Sequence, residues 1–132
     1  MTDLPADVRE YCRELARQRR WPPGTESAFL ETVMWFRDID EGPASRSYYE
    51  GAGEDADSGG TRWLWETVIV AGEVIAVKQI EVSPDGMARC YWWRHLEDER
   101  GFLTDQALDP DGWRLRAVGR DTFYELWDSA RQ

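Results

Sequence analysis

The hydrophobic pattern of the first 40 residues predicts two helices. Val8, Cys12 and Leu15 recur at helical spacing, and the pattern ends before the helix-breaking residues 22–24, which are Pro-Pro-Gly. A second amphipathic pattern covers residues 25–40, where large apolar side chains return every three or four positions. A few apolar residues inside it would also suit a buried strand. The length of the whole pattern favours a helix over that alternative.

The second half of the chain alternates apolar and polar residues in the manner of an antiparallel sheet. The expected strands are, in order, 62–70, 74–82, 87–95, 102–104 and 113–118. We expect the first two to be joined by a three-residue loop, 71–73, and the next pair by the turn 83–86. Thr122 and Glu125 have the spacing of a capping box, which indicates a closing helix over 120–131.

These elements predict one α+β domain. It would hold an antiparallel meander sheet of four to five strands, with two N-terminal helices and one C-terminal helix packed on it. The parts would be a helical region (1–40), an acidic flexible loop (41–61), the sheet (62–118) and the closing helix (120–131). A chain of 132 residues is long enough for a single buried core.

The acidic charge of the chain is concentrated in one stretch. Residues 25–60 carry two arginines against nine acids, a net charge of −7 within a total of −10. Such a surface repels phosphate backbones and attracts basic proteins, so we expect no direct nucleic-acid contact. No apolar run approaches the roughly 20 residues that span a bilayer, so no membrane partner is expected. Two cysteines and no visible signal peptide favour a cytoplasmic location.

This acidic stretch is the first candidate for a binding surface. Its carboxylates would steer a basic partner, and its neighbouring tyrosines would anchor that partner. The candidate partner-binding residues are Asp38, Asp40, Glu41, Tyr48, Tyr49, Glu54, Asp55 and Asp57.

A second candidate site follows from counting outward from the two hairpin turns. Glu66 falls opposite Lys78, and Lys78 opposite Tyr91, as a polar row on an otherwise apolar sheet face. Trp93 would wall this row, and His95 would lie near its edge. A carboxylate, an amine and a phenol in one row are the groups of a small acid–base site. They are equally the groups of a cross-strand salt bridge capped by a tyrosine.

No cofactor or metal is expected. The chain has one histidine, its two cysteines lack paired spacing, and it has neither a phosphate-binding glycine loop nor a nucleophile elbow. Whether the protein is an enzyme therefore stays open. The alternative function is a small-molecule protein: a cofactor-independent isomerase, cyclase or lyase, or a sequestering carrier. Glu66 or Lys78 would then act as the base and Tyr91 as a hydrogen-bond donor.

Three short segments, 77–82, 85–86 and 122–127, carry a resemblance to a known family. They resemble an uncharacterised bacterial family of small α+β domains, in which a strand reading RKVEIF precedes a DG turn, another strand and a closing EFExxW helix. The resemblance covers about residues 73–130 and implies an immunity protein that neutralises a partner toxin. Together with the acidic charge, it favours an inhibitor or immunity-type partner of a basic, toxin-like or nuclease-like protein.

Overall fold

The computed structural model describes residues 4–52 and 60–131. The elements of this part are α1 (Ala6–Arg19), α2 (Thr25–Glu41), β1 (Ser47–Ala52), β2 (Arg62–Val70), β3 (Glu73–Val82), β4 (Ala88–Trp92), β5 (Arg116–Val118) and α3 (Arg120–Ala130). The strands form one antiparallel sheet in the order β4-β3-β2-β1-β5. The α+β fold predicted from the pattern is confirmed, and residues 25–40 belong to a helix.

Two residues with positive φ mark the end of α1 and the beginning of α2. In α1 the predicted stripe of Val8, Cys12 and Leu15 is buried. Arg20 follows in the left-handed conformation with φ 53°, and its amide caps the last turn of the helix. The helix α2 begins after Gly24, which also has a positive φ, of 93°, a conformation that glycine adopts at no steric cost.

Two hydrophobic clusters hold the layers together. The larger one joins α1 and α2 to Trp65 and Tyr91, which share one face of the sheet. The smaller one joins α3, through Phe123, to Leu64 and Ile80 on the other face. Each face therefore carries apolar side chains that a helical layer covers, which is the arrangement that a two-faced antiparallel sheet needs.

The strands differ from the prediction at four places. β4 ends at Trp92 rather than at residue 95, and β5 begins at Arg116 rather than at residue 113. The segment 41–61, predicted as a flexible loop, contains β1, which pairs with β2 on one side and β5 on the other. The segment 102–104 contributes only an isolated bridge from Phe102 to Glu97. β1 was missed because only its two tyrosines are large apolar residues, so its stability comes from its neighbours rather than from its own pattern.

The first hairpin has a two-residue loop rather than the predicted three-residue one. Ala71 and Gly72 both have positive φ, 52° and 81°, as a type I′ turn requires. Beside this turn, the pairing of β2 with β3 is therefore shifted by one residue from the predicted pairing. An irregularity between Glu66 and Thr67 then restores the predicted count, because one residue of β3 is left unpaired. Glu66 consequently lies opposite Lys78, as predicted.

At the second hairpin, the pairing of β3 with β4 is shifted by one residue from the prediction along its whole length. Gly86, with φ 87°, takes the left-handed conformation, and Ser83 donates its amide hydrogen to the carbonyl of Met87 at 2.9 Å. This turn is one residue longer than predicted, so Lys78 pairs with Trp92 and Gln79 pairs with Tyr91. The predicted pairing of Lys78 with Tyr91 is wrong, since a one-residue shift moves every side chain to the other face.

Candidate functional site

A buried carboxylate stands at the centre of the polar row that crosses the sheet. Glu66 is 2% exposed and pairs across the sheet with Tyr48 on one side and Lys78 on the other. The Tyr48 hydroxyl donates to Oε2 at 2.6 Å, and the Lys78 ammonium donates to Oε1 at 2.8 Å. From α3, the Tyr124 hydroxyl reaches both carboxylate oxygens, at 2.7 and 2.8 Å. Side chains from β1, β3 and α3 thus all bind one carboxylate of β2.

The network extends from Glu66 to the C-terminal end of α2. Lys78 also donates to Oδ1 of Asp40 at 2.8 Å, and the same oxygen accepts from Arg46 at 3.1 Å. On the other side, Arg120 donates to the Tyr48 hydroxyl at 3.1 Å. We call these seven residues the Glu66 network: Asp40, Arg46, Tyr48, Glu66, Lys78, Arg120 and Tyr124. It ties α2, the sheet and α3 to one another.

A small cavity of about 230 Å³ opens beside the network. Three cations and two carboxylates line it, so its wall is almost wholly charged. Within the described residues, no buried side-chain nitrogen or oxygen lacks a hydrogen-bond partner. A ligand entering this cavity would have to replace bonds that the protein already makes to itself.

The shifted pKa values in the Glu66 network favour one protonation state at neutral pH. Burial by itself would raise the pKa of Glu66, but the hydrogen bonds from Lys78, Tyr48 and Tyr124 outweigh it and hold that pKa below its ordinary value. Burial and the bond to Glu66 raise the pKa of Tyr48 to about 12, and they raise that of Tyr124 as well. The carboxylate is thus ionised and both phenols are neutral donors. A general base needs a pKa near the working pH, which this carboxylate lacks.

The structure separates the other residues predicted for the small-molecule site from Glu66. Tyr91 is fully buried on the opposite face and donates its hydroxyl to Asp98 at 3.0 Å. Trp93 is buried in the larger hydrophobic cluster, so it is Trp92 whose ring lies 5.7 Å from the Lys78 ammonium. His95 lines another cavity, of about 500 Å³ beside α1, with Nε2 3.1 Å from Asp98. The register shift after Lys78 accounts for the altered face of Tyr91.

The residues predicted for partner binding divide into an internal and an external group. Asp40 and Tyr48 are buried in the Glu66 network, and Tyr49 packs partly buried against the larger cluster. Their predicted role as exposed anchors or steering charges is wrong for Asp40 and Tyr48, because buried polar groups are held by the partners that compensate their desolvation. Asp38 and Glu41 are exposed. Three further predicted residues lie outside the described residues: Glu54, Asp55 and Asp57.

The outer side of α2 carries a tryptophan among acids. Trp35 is 45% exposed, although its ring also contacts Phe36 edge-on. We call the exposed residues around it the α2 acidic face: Glu31, Trp35, Asp38 and Glu41. The one basic residue of α2, Arg37, is buried and donates to Asp38 at 3.2 Å. The helix therefore offers an aromatic side chain and carboxylates to solvent, and no exposed base.

Two site residues that were not predicted, Trp35 and Tyr124, are nevertheless indicated by the helical pattern of the sequence. Trp35 falls on the side of α2 away from the buried Phe29, Val33 and Phe36, so helical periodicity indicates its exposure. Tyr124 follows the buried Phe123 and so borders the packed side of α3. Arg46 and Arg120 had no such signal, since their partners lie on elements that only the fold brings near.

Comparison of the chain with protein-family models, with curated proteins and with solved structures finds no match. The resemblance to small bacterial α+β domains over residues 73–130 therefore stays a prediction. Among the helices of the described part, none has both the length and the apolar character needed to cross a bilayer. The cytoplasmic location likewise stays a prediction.

Proposed function

We propose that this protein is an acidic binding protein that docks on a basic protein, as an inhibitor or immunity-type partner. The α2 acidic face would be its contact surface. The observation that carries the proposal is Trp35, 45% exposed on a helix whose exposed charges are all negative. Tryptophan is among the residues most enriched at binding hot spots, so an exposed tryptophan among carboxylates suits contact with a basic partner.

The two kinds of residue on this face would serve different steps of binding. Truncating a central tryptophan of an interface costs about 2 kcal/mol or more, so Trp35 would set the lifetime of the complex. Carboxylates at the rim act over about a Debye length of 8–10 Å and raise the association rate. Glu31 and Glu41 suit this role because neither forms an ion pair within the described residues.

The Glu66 network supports the small-molecule alternative less well. Its donors and acceptors satisfy one another, and its carboxylate is already held by three donors. Buried networks of this kind orient the elements that contain them, since each member is held by several partners. We therefore assign the network to the stability of the fold and the α2 acidic face to binding.

The test compares the wild type with variants of the α2 acidic face. Each would be purified under native conditions from the cells that produce the protein, and basic proteins that co-purify would be identified by mass spectrometry. One variant carries Trp35→Ala and another carries Glu31→Gln with Glu41→Gln. The matched controls change exposed residues elsewhere: Met87→Ala, and Asp121→Asn with Glu125→Gln.

We expect one basic protein to co-purify with the wild type and both controls, and to be lost or strongly reduced with Trp35→Ala. The doubly neutralised variant should associate more slowly, and its rate should depend less on salt. Equal recovery with all variants would show that binding does not use this face. Recovery of no basic protein under any of these conditions would contradict the proposed function itself.

A further inference from the structure

A groove of about 320 Å³ lies on the sheet face opposite α3. Trp63 and Trp65 of β2 form its floor, because they alternate with Leu64 and Glu66 of the other face. Phe102, which is 60% exposed, stands at its rim. The lining is mostly aromatic and apolar, and the volume is at the lower end of the range for small-molecule sites.

One carboxylate at this groove receives no hydrogen bond. The side chain of Glu81 is partly buried and forms neither a hydrogen bond nor a close ion pair within residues 4–52 and 60–131, although Arg89 lies opposite Glu81 on β4. Burial raises the pKa of Glu81 although Arg89 opposes that shift. A carboxylate that has lost part of its water and has gained no donor is a favourable place for a cation.

The walls of the groove are held in place by hydrogen bonds behind them. The buried amide of Gln79 accepts from the Trp65 indole at 3.0 Å and from the backbone of Thr104 at 3.1 Å. The same amide donates to the carbonyl of Phe102 at 2.9 Å. Gly101 lies so near Glu81 that a Cβ there would approach its Oε2 to 3.1 Å. The groove is thus formed before any ligand arrives, which lowers the entropic cost of binding.

We propose that this groove binds a small organic cation, a primary amine carried on an aromatic or aliphatic skeleton. The ammonium group would donate to Glu81, and the skeleton would lie against Trp63 and Phe102. Aromatic faces attract cations through their quadrupole, so the floor and the carboxylate favour the same charge. Arg100 lies at the rim and is exposed, so solvent and salt screen its repulsion.

The experiment titrates the protein with two probes of nearly equal shape, phenethylamine and phenethyl alcohol. Binding is followed through the indole N–H signals in nuclear magnetic resonance spectra, with the Trp63 signal assigned by its loss in Trp63→Leu. The titrations are repeated with Glu81→Gln and with Glu73→Gln. The latter is a matched control, since Glu73 is an exposed acid of the same strand.

We expect the amine to shift the Trp63 signal saturably and to bind at least about tenfold more tightly than the alcohol, which corresponds to about 1.4 kcal/mol. Glu81→Gln should abolish this preference and Glu73→Gln should keep it. Equal affinity for both probes, an unchanged preference in Glu81→Gln, or no saturable shift at about 10 mM amine would each overturn the proposal. The comparison of probes on the wild type stands even if a variant unfolds, and none of these results depends on the α2 acidic face.

Discussion

Replacing Lys78 by methionine tests the Glu66 network most directly. Its ammonium nitrogen lies 2.8 Å from an oxygen of Glu66 and 2.8 Å from an oxygen of Asp40, whose side chains are 2% and 6% exposed. Methionine keeps most of the apolar stem and removes the charge. Two buried carboxylates would then face each other across the place where the cation stood, with fewer donors to compensate their desolvation.

The expected loss of stability follows from this burial. Removing one partner of a buried ion pair costs about 3–5 kcal/mol, whereas a whole domain is stable by about 5–15 kcal/mol. Lys78→Met should therefore remove about a fifth or more of the free energy of unfolding. With a urea m-value of about 2 kcal/mol/M, the unfolding midpoint should fall by about 2 M.

The assay is urea unfolding, followed by tryptophan fluorescence and by far-ultraviolet circular dichroism. The matched control is Arg13→Met, which breaks an ion pair with Glu10 whose side chains are 67% and 66% exposed, and it should cost at most about 0.5 kcal/mol. Adding Glu66→Gln to Lys78→Met should restore at least about 1 kcal/mol, because one uncompensated charge is removed. A loss of less than about 1 kcal/mol in Lys78→Met would show that the Glu66 network does not stabilise the fold in this way.

Two further predictions concern protonation. Because the pKa of Glu66 is lower in the folded chain than its ordinary 4.5, the wild type holds extra stability above pH 4.5 and loses it as the pH falls through the folded value. Urea midpoints measured from neutral pH to about pH 3 should therefore show a smaller gap between the wild type and Glu66→Gln in acid, and a constant gap would contradict the pKa direction. Burial raises the pKa of Tyr11 and Tyr48 to about 12, and also raises those of Tyr91 and Tyr124. At about pH 10.5, phenolate absorbance should accordingly show most of the five tyrosines neutral in the folded chain and ionised in urea, and equal absorbance in both states would contradict it.

Local pattern was enough to predict the helices, the two hairpins and the fold class. The stripe of Val8, Cys12 and Leu15 and the long amphipathic pattern of 25–40 each concern neighbours within a few residues, so periodicity alone reports them. The two hairpins were likewise marked by their turn residues. The short strand β1 left no such signal, because pairing with β2 and β5 rather than its own residues makes it extended.

The cross-strand residue pairs depended on the lengths of the hairpin turns, which the residue types alone do not reveal. The pair of Glu66 and Lys78 was correctly predicted only because the shorter first turn and the irregularity after Glu66 cancel. The left-handed conformation of Gly86 had no such compensation, and Tyr91 moved to the other face. A side-chain period of two makes each single-residue difference in a turn decisive.

The sequence by itself determined the helices, the antiparallel sheet and the strongly acidic charge of this protein, since these follow from local spacing and from residue counts. Only the tertiary structure decided which acids face water. Asp40 is buried because Lys78, 38 positions away along the chain, and Arg46 neutralise it, whereas its neighbours Asp38 and Glu41 stay exposed. Burial of a charge requires a partner in space, and the fold alone supplies that partner.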